Sequence, residues 1–122
     1  MPEEFKIIAT PRFEKDVEYY FRKKRYRKII DDVENITKEL KKGNFIGTPI
    51  PDVTFGDDNV WKVRSVNSST NSGKSNGFRL LYYLIKEDKE VYLLTIYSKK
   101  DNDRIPSSED IKDLVKNNIE YI

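Results

Sequence analysis

Three runs in the second half of the chain, VWKVRSV (60–66), FRLLYYLIK (78–86) and VYLLTIYSK (91–99), are dense in β-branched and aromatic residues and are separated by turn-forming segments. Such residues fit a pleated, half-buried surface, and runs of this length bounded by turns read as strands. The link Glu87–Glu90 between the last two is of hairpin length. The spacing predicts an antiparallel meander, onto which the remaining segments have to pack.

Those segments are mostly helical. Phe5–Ala9 (FKIIA) is a short apolar run read as a strand, closed by Thr10-Pro11, a helix N-cap followed by proline at the first helical position. Phe13, Val17, Tyr20 and Phe21 recur at helical spacing over Pro11 to about Arg22. Ile29, Ile30, Val33, Ile36 and Leu40 repeat the pattern in a second helix from about Arg25 to Lys42, with Gly43 as its stop. Residues 43–59 carry glycine, proline and TFGDDN and read as loop. After Pro106, Ser107 or Ser108 precedes acidic residues and the spaced apolar set Ile111, Leu114, Val115 and Ile119, which predicts a final helix. The expectation is one α+β domain spanning 1–122: an antiparallel sheet carrying an N-terminal helical hairpin and a C-terminal helix, in the order β-α-α-β-β-β-α. A chain of 122 residues is comfortable with a single core.

What the chain lacks narrows its chemistry. With no histidine and no cysteine, a zinc site, a Ser-His triad, a thiol nucleophile and paired-histidine ribonuclease chemistry are all disfavoured. A catalyst built here has to use Lys, Arg, Tyr or carboxylates. No apolar run approaches the length of a membrane span, and MPEEFKIIAT lacks the pattern of a secretory signal, so the expected location is the cytoplasm. The net charge of +2 is small, but residues 59–104 hold 9 basic against 5 acidic side chains, a local excess that suits a polyanionic partner. FRKKRYRK (21–28) sets six basic residues into eight positions at the turn of the predicted hairpin.

The tract SVNSSTNSGKSNG (65–77) raises a sharper question, because Gly73-Lys74-Ser75 resembles a phosphate loop. That motif needs a glycine five positions ahead of the Gly-Lys pair and a helix after it, so that backbone amides and the helix N-terminus face the phosphates. Position 68 is serine and the downstream segment reads as a strand. Both requirements fail, and the tract reads instead as a mobile connector between two antiparallel strands. What it connects is more informative. Strand residues alternate faces, so Lys62 and Arg64 share a side. Arg79 interrupts the next strand where pairing could bring it to either of them, and Lys99-Lys100 end the last. Several cations would then meet on one sheet surface, with Tyr97 and Tyr82 or Tyr83 near enough to stack on bases. The plainer reading is of solvated lysines and arginines on the open face of a half-buried sheet.

The strings WKVR, GKSNGFRLLYY and YLLTIYSKK, in that order, resemble toxins of type II toxin-antitoxin systems in the RelE superfamily, especially the HigB-like branch. The resemblance spans most of the chain, including the leading strand and the helical hairpin. It implies a RelE-like toxin that enters the ribosomal A site and cuts messenger RNA as a metal-independent endoribonuclease needing no cofactor. A co-encoded antitoxin, a helix-turn-helix HigA-like protein, would silence it. By motif the family's basic strand residues fall on Lys62, Arg64, Arg79, Lys99 and Lys100, and Lys74 matches the loop lysine of the HigB-like branch. In that scheme Arg79 binds the phosphate undergoing attack, Lys62 transfers protons beside Arg64, and Tyr97 stacks a base or protonates the leaving oxygen. Lys99 and Lys100 hold flanking phosphates, and Arg22, Lys23, Lys24, Arg25, Arg27 and Lys28 clamp ribosomal RNA. The chain departs from the family in having Asp103-Arg104-Ile105-Pro106 where some relatives carry a tyrosine or histidine, and Asn76 within the glycine pair. The competing expectations are a ParE-like toxin acting on DNA gyrase without nuclease activity and a non-catalytic RNA-binding module.

Overall fold

A computed structural model describes residues 4–55 and 58–119. Its centre is a strand with nothing to show to water. Strand β4, Phe78–Ile85, is buried at all eight positions, and its apolar side chains divide between two cores. Phe78, Leu80, Tyr82 and Leu84 join Phe13 and Tyr20 of helix α1 (Pro11–Arg22) and Ile29, Ile36 and Leu40 of helix α2 (Ile29–Lys41). Leu81, Tyr83 and Ile85 join Ile111, Val115 and Ile119 at the C-terminal helix α3 (Ser108–Asn118). A sheet covered on both faces accounts for a strand that is almost continuously apolar. Each large side chain so buried contributes about 1.5–3 kcal/mol of transfer free energy.

Around β4 the sheet runs β1-β5-β4-β3-β2, with β1 at Lys6–Ala9, β2 at Thr48–Phe55, β3 at Asp58–Ser65 and β5 at Glu90–Ser98. The α+β class, the meander β3-β4-β5, the helical hairpin and the final helix are as the sequence predicts. The caps are too: the Thr10 hydroxyl accepts from the amide of Phe13, and Ser107 and Asp110 form a reciprocal capping box.

Four expectations are corrected. The stretch 43–59 is not loop, because it contains β2, and the order is β-α-α-β-β-β-β-α. Pro49 and Pro51 are tolerated there because β2 is the outer edge strand, where one side of the backbone has no ladder to feed. The sheet is not wholly antiparallel, since β1 pairs parallel to β5. Helix α2 starts at Ile29 rather than Arg25, whose positive φ of 58° interrupts helical winding. Finally, the serine-rich connector is not a free tether. Asn67 and Ser72 form an isolated bridge, Asp32 of α2 accepts from the amide (3.0 Å) and hydroxyl (2.5 Å) of Ser68, and the Ser69 hydroxyl accepts from the Lys28 amide. Gly77 is required at the end of this loop, because a β-carbon would collide with the Ser65 carbonyl.

One buried charge locks α1 to the sheet. Asp16, 1% exposed, accepts from Arg12 Nε (3.1 Å), Arg104 Nη2 (2.9 Å), the Thr95 hydroxyl and the Ile96 amide. The β5 irregularity opposite Leu81 and Tyr82 turns Thr95 toward the helix. Arg104 also lies over the Tyr19 ring, 3.9 Å from its centroid. Among the described residues no helix is long and apolar enough to cross a membrane.

Candidate functional site

The cations singled out in the sequence converge on one end of the molecule, where β3 and β4 pass into the 66–77 loop. Lys62 and Arg64 share a face of β3 with buried Val60, and the register sets Arg64 opposite Arg79 and Arg79 opposite Tyr97. A transverse row Arg64–Arg79–Tyr97 therefore crosses three strands on the α3 side of the sheet. Pairing of β2 with β3 stops at Thr48 and Lys62, so the next residues of β3 have no strand beyond them. Gly47 turns the chain away at φ 99°, packed so tightly on the Lys62 backbone that any side chain there would clash. The space left open is a cleft of about 480 Å³ lined by Ile46, Gly47, Thr48, Lys62, Val63, Arg64 and Lys74. A second recess of about 230 Å³ shares Ile46, Arg64 and Lys74 with it and is completed by Asp32, Asn35, Ile36, Ser65 and Val66.

Lys62, Arg64 and Lys74, from two segments separated in sequence, thus line one cleft. Arg79 does not line it. Its side chain, 6% exposed, lies beneath the loop and donates to the carbonyls of Lys74 (2.9 Å), Phe78 (3.2 Å) and Ser75 (3.3 Å). Burial, and then the neighbouring charge of Arg64, weaken its hold on its proton. Arg79 is therefore the post on which Lys74 is mounted. Tyr97, 7% exposed, stands beside it; burial raises its pKa and the Arg79 charge partly offsets that rise.

Among the described residues Lys62, Arg64, Lys74, Arg79, Lys99 and Lys100 take part in no ion pair. Lys99 and Lys100 are exposed in the turn after β5, where the Lys99 amide bonds the Gly77 carbonyl, so they flank the loop rather than the cleft. The hairpin tip lies at the same end, tied to the loop through Lys28 and Ser69. Of its six basic residues, Arg22 pairs with Glu18 (3.6 Å) and Lys24 with Asp101 (3.6 Å), and Arg27 sits over the Phe21 ring. Lys23, Arg25, Arg27 and Lys28 are exposed and form no ion pair among the described residues.

The stacking role foreseen for Tyr82 or Tyr83 is not supported by their placement. Tyr82 faces the helical hairpin, stacked on Trp61 with its hydroxyl donating to the Ile46 carbonyl, and Tyr83 is buried in the α3-side core beside Asp58. Burial raises both pKa values, that of Tyr83 to about 12. Sequence reasoning also missed Asp32 and Asn35 of α2. The signal for Asp32 was present: it stands three residues after Ile29 and four before Ile36, on the stripe that α2 buries.

An unpaired cationic cleft of this kind can bind a polyanion, orient a phosphodiester and stabilise charge that develops on it. No family model matches the chain, and no curated protein matches it in sequence.

Proposed function

We propose that this chain is the toxin of a type II toxin-antitoxin pair, a ribosome-dependent endoribonuclease that cleaves messenger RNA and thereby inhibits translation. The observation that supports it best is the gathering of Lys62, Arg64 and Lys74 in one cleft with no ion pair to a carboxylate among the described residues. In this reading the RNA 2′-hydroxyl attacks the adjacent phosphorus. The hydroxyl proton passes to water, and Lys62, Arg64 and Lys74 hold the non-bridging oxygens on which charge accumulates. Cations placed in advance at such a position are worth several kcal/mol in rate. Arg79 fixes Lys74 through its loop carbonyls, and Tyr97, which burial keeps protonated, is the candidate donor to the leaving oxygen. The exposed basic tip of the helical hairpin supplies sequence-independent contacts to ribosomal RNA. A helix-turn-helix HigA-like antitoxin is the proposed partner, and the cytoplasm the proposed compartment.

Purified protein added to translating ribosomes tests this directly. New RNA ends are expected only in translated message, and Arg64→Ala with Lys74→Ala abolishes them while circular dichroism is unchanged. Intact message alongside inhibition of gyrase supercoiling would point to ParE-like action instead. A second reading, a non-catalytic RNA-binding module, draws on the engagement of Arg79 with carbonyls and the burial of Tyr97. It is distinguished by RNA binding that yields no new ends.

A further inference from the structure

The chemistry just described uses one lobe of the cleft and leaves the other idle. The idle lobe is bounded by Asp32, Asn35 and Ile36 on α2, by Ile46, and by Val66 where β3 gives way to the loop, with Arg64 and Lys74 common to both lobes. Its character differs from that of its neighbour. Ile36, Ile46 and Val66 make apolar walls, and the exposed amide of Asn35 has no hydrogen bond among the described residues. At one side stands the carboxylate of Asp32, 2% exposed, with both oxygens engaged by Ser68.

We propose that this recess holds one unpaired nucleobase of a single-stranded RNA whose adjoining phosphate lies on Arg64 and Lys74; the inference rests on the RNA reading above. Charge decides which part of the nucleotide goes where. The Asp32 carboxylate repels a phosphate, whereas the Lys62 lobe attracts one, so a nucleotide spanning the shared Arg64–Lys74 boundary places its uncharged base beside Asp32. Apolar walls suit the faces of a base, and the amide of Asn35 offers a donor and an acceptor side by side, the pattern found along base edges. A recess of about 230 Å³ closed by a helix and a loop admits a splayed-out base rather than a base pair. Asn35 is thereby a specificity-determining residue, and Asp32 a positioning residue that sets the loop wall against it.

Fluorescence anisotropy with labelled hexaribonucleotides tests this, using oligo-U, oligo-C, oligo-A and an abasic ribose-phosphate hexamer. The parent protein is expected to bind at least one base-bearing oligomer about tenfold more tightly than the abasic one, the scale of a single well-made base contact. Asn35→Ala removes most of that difference while leaving the abasic affinity within about twofold. Asp32→Asn, which keeps an acceptor for Ser68, retains more of the difference than Asp32→Ala. Equal weakening of abasic and base-bearing oligomers by Asn35→Ala, or no change in either, overturns the recess while leaving the phosphate cleft standing. A parent protein that binds none of the oligomers overturns the recess, while the assay on translating ribosomes decides the RNA reading separately.

Discussion

Asp16 and Arg79 carry opposite charges, both are buried, and they are satisfied in opposite ways. Asp16 is met by two guanidinium groups, a hydroxyl and an amide, so its charge is cancelled where it lies. Arg79 is met by three backbone carbonyls and, among the described residues, by no carboxylate, so its hydrogen bonds are made without a counter-charge. The first arrangement is a rivet between α1, β5 and the 3-10 turn at Asn102–Arg104. The second leaves a field directed toward the loop and the neighbouring cleft. A buried charge with a full set of counter-charges belongs to the architecture; one balanced by dipoles alone remains available to an anion.

The contrast can be broken most severely at the rivet. Asp16→Ala is expected to cost on the order of 3–5 kcal/mol, because Arg104 is left partly buried without its partner; urea unfolding measures this, and a loss below about 1 kcal/mol would remove the rivet from the account. Arg79→Met is expected to cost less stability, on the order of 2 kcal/mol for the lost carbonyl bonds. It should lower RNA cleavage by about 100-fold and speed proteolysis within 66–77. The same loss of stability with cleavage intact would make Arg79 a second rivet.

The finest distinction lies in two tyrosines. Tyr20, beside the first node, is raised by burial, eased by the Ser98 amide and raised again by Asp101; Tyr97 is raised by burial and eased by Arg79. Both folded-state values lie above the unfolded value of about 10. The stability these groups contribute is therefore fully present below about pH 10 and is lost as pH rises through the folded values. An ultraviolet titration of Tyr20→Phe and Tyr97→Phe variants should show Tyr97 ionising first, and Arg79→Met should move it upward.

The parts of the fold governed by local chemistry were legible in the sequence. Thr10-Pro11 and Ser107 cap the helices that they announce, and the three β-rich runs are strands within about two residues. The same alternation that put Lys62 and Arg64 on one face holds, and Arg79 pairs with Arg64. What was hidden depends on partners distant in sequence. Pro49 and Pro51 argue against a strand until it is known that the strand is an edge. Nothing in FKIIA specifies that its neighbour will be parallel. The serine-rich loop looks mobile because its anchors, Asp32 and the Arg79 guanidinium, come from elsewhere. Asp16 gave a faint clue, an acid set between Phe13 and Tyr20 on the stripe that α1 buries.

The parallel seam between β1 and β5 also has a bearing on how the chain is made. Thr10, just past β1, bonds the carbonyl of Leu93, 83 residues further on. During synthesis at about 5–20 residues per second, the amino-terminal strand has no strand to pair with until β5 has left the exit tunnel. Late closure of this kind leaves the sheet one strand short until synthesis is almost complete.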